Sequence, residues 1–406
     1  MSESLTQPVE QRVGRVELIG LLSAVMALGA LGVDLVLPAF GDMRAEFALA
    51  ADSNRVAGVV TVYVLGLAGG TLLFGPLSDR FGRKPALNLG FAIYTLGAVG
   101  AALAPSLELV LLSRLVWGVG AAGPRTVSLS IIRDLYVGDR MARMMSFIFA
   151  VFIVIPIIAP SLGAGIVAVA PWRWVFWLTV VVAVVVAAWA LRLNETMDPA
   201  AKLALKPGEL VRAARTVLGN RQTTGYMLAL TFSFGAFISY LASSQLIVDD
   251  ILDSSDLFPF IFGGLAAVMG VAMLVNANIV ERLGVRRVVR RTLAFYITAS
   301  FAFLLIALAT NGTPSLWVFF VSFAVLLSMH ALLIPNTNSV AMDPMGEIAG
   351  TAAAVIGAVS TGGGAALGAA IDHAYNGTVT PLAIGFVASS IAAALAVLWA
   401  DRGAAA

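Results

Sequence analysis

The sequence predicts an all-α membrane protein of about twelve transmembrane helices, and three observations predict it. Hydrophobic residues make up 60% of the 406 positions and charged residues only 12%, where a soluble domain holds about half and about a quarter. The apolar residues run unbroken for about 20 positions at a time, as around 180–191, the length of a helix that crosses a bilayer. Lys and Arg gather on alternate connections between these runs, the pattern that fixes orientation in a membrane. Hydrocarbon leaves backbone groups only two ways of being satisfied, a helix or a closed barrel. Barrel strands would alternate over about 10 residues, so these spans are helices. A chain this apolar is not a soluble protein, and nucleic acid is not an expected partner.

In order along the chain, a polar start (1–15) leads into the first span, 16–39. That run is too long for the core of a signal peptide and lacks a small-residue cleavage site, so it stays as a helix. The next spans are expected at 55–78, 85–104, 107–132, 141–168 and 173–193. The longest polar stretch, 194–222, is rich in Lys, Arg, Asp and Glu and reads as a central cytoplasmic loop. Six more spans follow, at 223–247, 257–280, 288–309, 313–339, 346–370 and 379–400. The expected organisation is a six-helix bundle over 1–193, the loop, and a second bundle over 223–406.

One side of the bilayer receives Arg12 and Arg15, then Arg80, Arg83 and Lys84, then Arg133, Arg140 and Arg143. It also receives the central loop, the cluster Arg282, Arg286, Arg287, Arg290 and Arg291, and Arg402. The other side has Arg44, Arg55 and Arg173. Both termini are therefore expected in the cytoplasm. The chain also repeats itself: Asp79-Arg80-Phe81-Gly82 closes the second span and Glu281-Arg282-Leu283-Gly284 the eighth, half a chain later. Parallel repeats of this kind place a substrate site between the halves, near the midplane. There is no cysteine, so neither disulfides nor thiol chemistry enter.

Gly75-Pro76-Leu77-Ser78-Asp79-Arg80-Phe81-Gly82-Arg83-Lys84 resembles the loop 2–3 signature of the major facilitator superfamily. Asp34-Leu35-Val36-Leu37-Pro38 and the run from Arg114 to Ala122 resemble motifs of its drug–proton antiporter branch. Ala159-Pro160-Ser161-Leu162-Gly163-Ala164-Gly165 is similar to that branch's helix-five motif, with alanine where the first glycine usually stands. Gly350-Thr351-Ala352-Ala353-Ala354 looks like the bicyclomycin/chloramphenicol-resistance type. The resemblance spans essentially the whole chain. It implies two pseudo-symmetric six-helix bundles and proton-coupled export of small molecules. It also implies that Gly75, Asp79, Arg80, Gly82, Arg83 and Lys84 latch the outward-open state. The bend made by Pro156, Pro160, Gly163 and Gly165 would limit leakage along the bundle interface.

Among the 23 acidic residues, the reading singles out Asp34 as the one well inside a span. An ionised carboxylate is costly there, and such groups face a cavity or a partner. Apolar surroundings favour the neutral form of a carboxyl group, so Asp34 is suited to take a proton on one side and release it on the other. Arg114 lies at a similar depth and, staying charged, is placed to tune Asp34 or organise its network. Gly82 permits a tight turn, and Asp79 fits a helix N-terminus across the bundle boundary. The candidates for the substrate cavity are Tyr63, Arg125, Phe234, Phe237, Tyr240, Gln245, Asn336 and Asn338; Asn276, Asn278 and His330 are further polar positions. Arg125, after Pro124, also suits an anionic substrate.

The expected partners are a lipophilic small molecule, protons and the lipid bilayer of a bacterial inner membrane, with a monomeric chain. No cofactor is expected beyond the proton gradient. There is no Walker A sequence, and His330 and His373 are too far apart in sequence for a metal site. Two alternatives stand beside multidrug export. One is proton-coupled transport of a nutrient or organic-anion metabolite on the same fold. The other is an intramembrane prenyltransferase, because Asp249, Asp250, Asp253 and Asp256 have the spacing of a magnesium-pyrophosphate motif.

Overall fold

The computed structural model describes residues 13–50, 53–136, 138–197 and 207–402; Arg12 and the Lys-bearing part of the central loop lie outside them. Fourteen α-helices occur among these residues: α1 Arg15–Asp34, α2 Phe40–Glu46, α3 Gly58–Phe81, α4 Arg83–Leu103, α5 Leu107–Leu135, α6 Gly138–Val169 and α7 Arg173–Ala190. There follow α8 Pro207–Gly219, α9 Arg221–Leu246, α10 Phe258–Leu283, α11 Val285–Ala309, α12 Leu316–Met342, α13 Ala349–His373 and α14 Thr380–Asp401. Among the described residues, eleven segments are long and apolar enough to cross a bilayer. The shorter apolar segment Val154–Val169 lies in α6, whose first turns carry Asp139, Arg140 and Arg143. The chain is a multi-pass membrane protein.

Three departures from the sequence reading matter for function. The first span is not one helix to 39. α1 ends at Asp34, a short 3-10 turn covers Leu37–Ala39, and α2 continues to Glu46. Pro38 explains the break, since it has no N–H for a helical bond. Asp34 thus lies twelve residues short of Glu46, about 18 Å at the helical rise, and deeper than expected. The polar stretch after α7 is not all loop, because α8 forms within it and packs on α13 and α9. α13 runs on to His373, beyond the expected end at 370, and takes Asp372 into the protein.

Small residues set how closely the helices approach. A methyl added at Gly120 of α5 would lie 2.6 Å from Tyr94 Cα on α4, and one at Gly123 2.8 Å from Gly90 Cα. In the second half, a methyl at Gly364 of α13 would lie 2.6 Å from Phe234 Cβ on α9. α1 and α3–α7 pack among themselves, as do α9–α14, while α3 meets α13 and α6 meets α10 between the two groups. The repeat has a structural counterpart. Gly82 ends α3 with φ +108° and Gly284 ends α10 with φ +78°, conformations that only glycine adopts without strain.

Gly120→Val should cost about 1–3 kcal/mol by overpacking and lower the thermal midpoint in detergent. Gly165→Ala, whose added methyl meets nothing within 4 Å, should leave it unchanged. Size-exclusion melts of both variants check the contrast.

Candidate functional site

Asp34 is the last residue of α1, 4% exposed, and accepts no hydrogen bond from a described residue. Arg114 does not pair with it. That guanidinium is wholly buried; its Nη1 donates to the Gly32 carbonyl at 2.7 Å and its Nε to the Val59 carbonyl at 2.9 Å. The expected role of Arg114, to tune Asp34 or organise its network, therefore involves no ion pair with it among the described residues. A cation suits the negative end of α1, and Arg114 holds that end rather than the carboxylate. Its charge also lies against the Tyr63 and Trp117 rings, 4.6 and 4.7 Å from their centroids. Tyr63 in turn donates to the Gly29 carbonyl at 3.1 Å. Arg114 therefore ties α1, α3 and α5 together beside the break.

Across from this cluster stands Tyr240 of α9, which interacts electrostatically with Asp34, as Tyr63 does. Tyr240 begins an aromatic stack. Its ring is 6.5 Å from Phe237 and 4.9 Å from Phe323, and Phe237 stacks on His330 at 4.5 Å with Phe234 beside it at 6.1 Å. His330 is 1% exposed, and neither ring nitrogen has a hydrogen-bond partner. Arg125 is exposed and within electrostatic range of Tyr63.

Two other polar candidates are engaged with neighbouring side chains, one between helices and one within its own. Asn336 of α12 donates to Asn276 of α10 at 2.8 Å, and Gln245 donates to Asp249 at 3.3 Å. Asn338 is exposed. Of the helix-five residues, Gly163 packs directly on the Leu35 carbonyl, with Pro38 Cδ 3.3 Å from an added methyl. It seats α6 against the break in α1; Gly165 seats nothing. Pro156 and Pro160 both lie inside α6.

In the loop signature, Arg83 is the hub. It bonds Asp79 Oδ1 at 2.6 Å, Asp134 Oδ2 at 2.7 Å and Ser78 Oγ at 3.0 Å. Glu195 accepts from the Arg83 and Lys84 backbone N–H groups at 2.8 and 3.0 Å, capping the positive end of α4. Lys84 Nζ donates to the Leu191 carbonyl at 2.8 Å. Gly75 and Arg80 make no such bond, and Arg80 lies over the Phe81 ring. Asp79 therefore stays within its own half, and the expected contact with a helix of the other half is absent from this conformation.

Among the described residues, side-chain hydrogen bonds between the halves lie at the end of the helices opposite the loop signature. Arg44 of α2 grips Asp250 through Nη2–Oδ1 at 2.7 Å and Nη1–Oδ2 at 2.9 Å. Asn54 Nδ2 donates to the Asp372 carbonyl at 2.9 Å. Asp372, 8% exposed, is a buried acidic residue that the sequence did not single out, so Asp34 is not the only acidic residue buried in a span. The available signal was the apolar run of α13 continuing through Ile371.

A multi-pass helical chain with a buried carboxylate at a broken helix, facing a second helical group, is a membrane transporter and not an enzyme. The chain belongs to the Major Facilitator Superfamily, whose family description matches residues 22–369. It is 27% identical over 366 residues to a bicyclomycin resistance protein homolog of Haemophilus influenzae, covering 90% of each chain. It is 27% identical over 338 residues to the multidrug resistance protein MdtL of Escherichia coli O157:H7, covering 82% of this chain and 83% of that one. Among solved structures it is similar to a D-xylose-proton symporter, with a TM-score of 0.73 at 15% identity over 95% and 96% of the chains. It is also similar to the human organic anion transporter MFSD10, with a TM-score of 0.66 at 19% identity over 97% and 100%. These likenesses leave no place for the prenyltransferase alternative, and in its aspartate-rich loop Asp250 is held by Arg44 and Asp249 by Gln245.

Arg83→Ala should leave Asp134 and the 38%-exposed Asp79 without their cation and cost about 1–3 kcal/mol, less than a fully buried pair because water reaches Asp79. Arg83→Lys should recover only part, since one ammonium cannot reproduce the forked contacts. Thermal stability in detergent, with Asp134→Asn as a partner variant, checks this.

Proposed function

We propose that this chain is a proton-coupled exporter of drug-like small molecules, a multidrug/H+ antiporter working by alternating access. The observation that carries the reading is Asp34, a carboxyl group buried at a helix break, without a basic partner and opposite Tyr240 of the other half. Broken helices at such a depth are where transporters hold substrates and coupling ions. A group whose charge is unpaired is free to titrate as its surroundings change. The resistance names of the relatives support drug-like substrates, and the loop and helix-five motifs support export.

In this reading the bundles 1–193 and 223–406 rock about the site, with both termini in the cytoplasm of a bacterium and a single chain sufficing. Protons from outside neutralise Asp34, and Arg114 holds the end of α1 in place while they do. The aromatic stack of Phe234, Phe237 and Tyr240 with His330 receives the apolar body of the substrate, as mainly apolar pockets with few polar fixtures do. Tyr63 and Arg125 face it from the first half. A membrane potential of 100 mV contributes about 2.3 kcal/mol per charge moved, which supports roughly 50-fold accumulation. A second reading, exchange of an organic anion, is favoured by one observation: Arg125 is a charged group on a buried stretch of α5 and forms no ion pair among the described residues.

Inside-out vesicles energised with a proton gradient test both readings. Drug addition should release lumenal protons in wild type, and Asp34→Asn should abolish the response. Release that survives in the variant removes Asp34 from coupling. Silence to every drug, with a response to organic anions that Arg125→Ala abolishes, replaces multidrug export with the second reading. Arg114→Ala should retain little coupled flux, whereas an unchanged rate and pH profile would separate Arg114 from coupling.

A further inference from the structure

The outer ends of α9 and α13 hold a second carboxyl group, in a setting unlike that of Asp34. Ser239 Oγ lies 2.6 Å from Asp372 Oδ1, Ser243 Oγ 2.8 Å from the same oxygen, and Ser243 Oγ also 2.6 Å from the Ser239 carbonyl. All three are full-strength hydroxyl hydrogen-bond distances. A serine hydroxyl carries one proton, so the two serines supply two protons for three contacts. A proton on Asp372 completes the set. Ser239 donates to Oδ1, the carboxyl proton goes to Ser243 Oγ, and Ser243 donates to the Ser239 carbonyl. Oδ2 is buried and accepts nothing, an arrangement that an ionised carboxylate tolerates poorly.

Of the charged and titratable groups around it, Arg55 pairs with Glu108 and Arg44 with Asp250. Tyr375, one turn on, lines the same cavity as Asp372, Ser239 and Ser243 and lies within electrostatic range of Arg44. Asp249 accepts from Gln245, His373 is exposed, and α14 presents Pro381 and Leu382. The same residue joins the halves, because its backbone carbonyl receives Asn54. It sits at the end where Arg44 grips Asp250, away from the cytoplasmic loop signature.

We propose that Asp372 is a second protonation site, filled from the outer solution, and that its protonation is required for the outer ends of the two halves to close. Resting on the alternating-access reading, this makes Asp372 a sensor of external pH and leaves net proton transfer to Asp34. When Asp372 loses its proton, the charge draws water, the Ser239–Ser243 set loses its third proton, and the Asn54 contact parts. An acidic exterior closes the outer end and returns the carrier to face the cytoplasm.

The chain has no cysteine, so one spin-label pair at Ala45→Cys and Ser255→Cys, on exposed positions of the two halves, reports the outer opening in nanodiscs. In an Asp34→Asn background, which removes the first titration, the short-distance population should fall sigmoidally as pH rises. Adding Asp372→Asn should hold it short at every pH. Ser239→Ala removes a donor to the anion and should move the midpoint up by about half a pH unit or more. His373→Gln should change nothing. A pH response that persists in Asp372→Asn, or vanishes in His373→Gln, overturns the proposal while drug-induced distance changes keep the alternating-access reading. A distance that answers neither pH nor any drug overturns both.

Discussion

Hydrocarbon offers no hydrogen bonds, and that constraint shapes where the buried polar groups of this chain find their partners. Arg114 is the clearest case. Its charge is tolerable inside the protein because two backbone carbonyls and two aromatic faces surround it. Those carbonyls belong to α1 and α3, so the residue that needs them also fixes where those helices lie. The break after Asp34 becomes sustainable for the same reason: a carbonyl freed near the end of α1 receives the Arg114 guanidinium in place of a helical N–H.

The glycines allow the arginine to work at this range. α5 meets α4 backbone to backbone at Gly120 and Gly123 and meets α3 at Gly118, which brings a side chain from α5 within reach of Gly32. The loop signature uses the same economy at one end of the helices. Arg83 gathers Asp79, Asp134 and Ser78, while Glu195 caps α4 and ties the end of α7 to it. The first half is tied at both ends, and it meets the second half along the seams where α3 packs on α13 and α6 on α10. Polar contacts cross between the halves at the end opposite the loop signature, through Arg44 with Asp250 and Asn54 with Asp372.

Much of the fold was legible in the sequence because its cause is local. A run of about 20 apolar residues is a span wherever it stands, and Gly82 and Gly284 mark equivalent turns because both must take positive φ. Asp34 was legible as a charge out of place. Its isolation from Arg114 was not, since equal depth on two helices says nothing about rotation around them. Asp372 was hidden because the expected span stopped at 370, two residues short of it, whereas α13 runs on to His373 and sets Asp372 against Ser239 and Ser243 of α9. Asn336 and Gln245 read as cavity residues by type; Asn276 makes the first a tie between α12 and α10, and the second bonds Asp249 one turn on in its own helix.

The sequence by itself determined what one segment can decide alone: how many times the chain crosses, where it turns, which connections carry the positive charge, and which carboxylate stands in the first span. Only the tertiary structure decided which buried groups face one another. Arg114 reaches carbonyls rather than Asp34, Tyr240 comes within electrostatic range of Asp34, and Asp372 meets two serine hydroxyls. The physical reason is that hydropathy sums along a chain, whereas a hydrogen bond depends on two side chains from distant segments arriving within about 3 Å of each other.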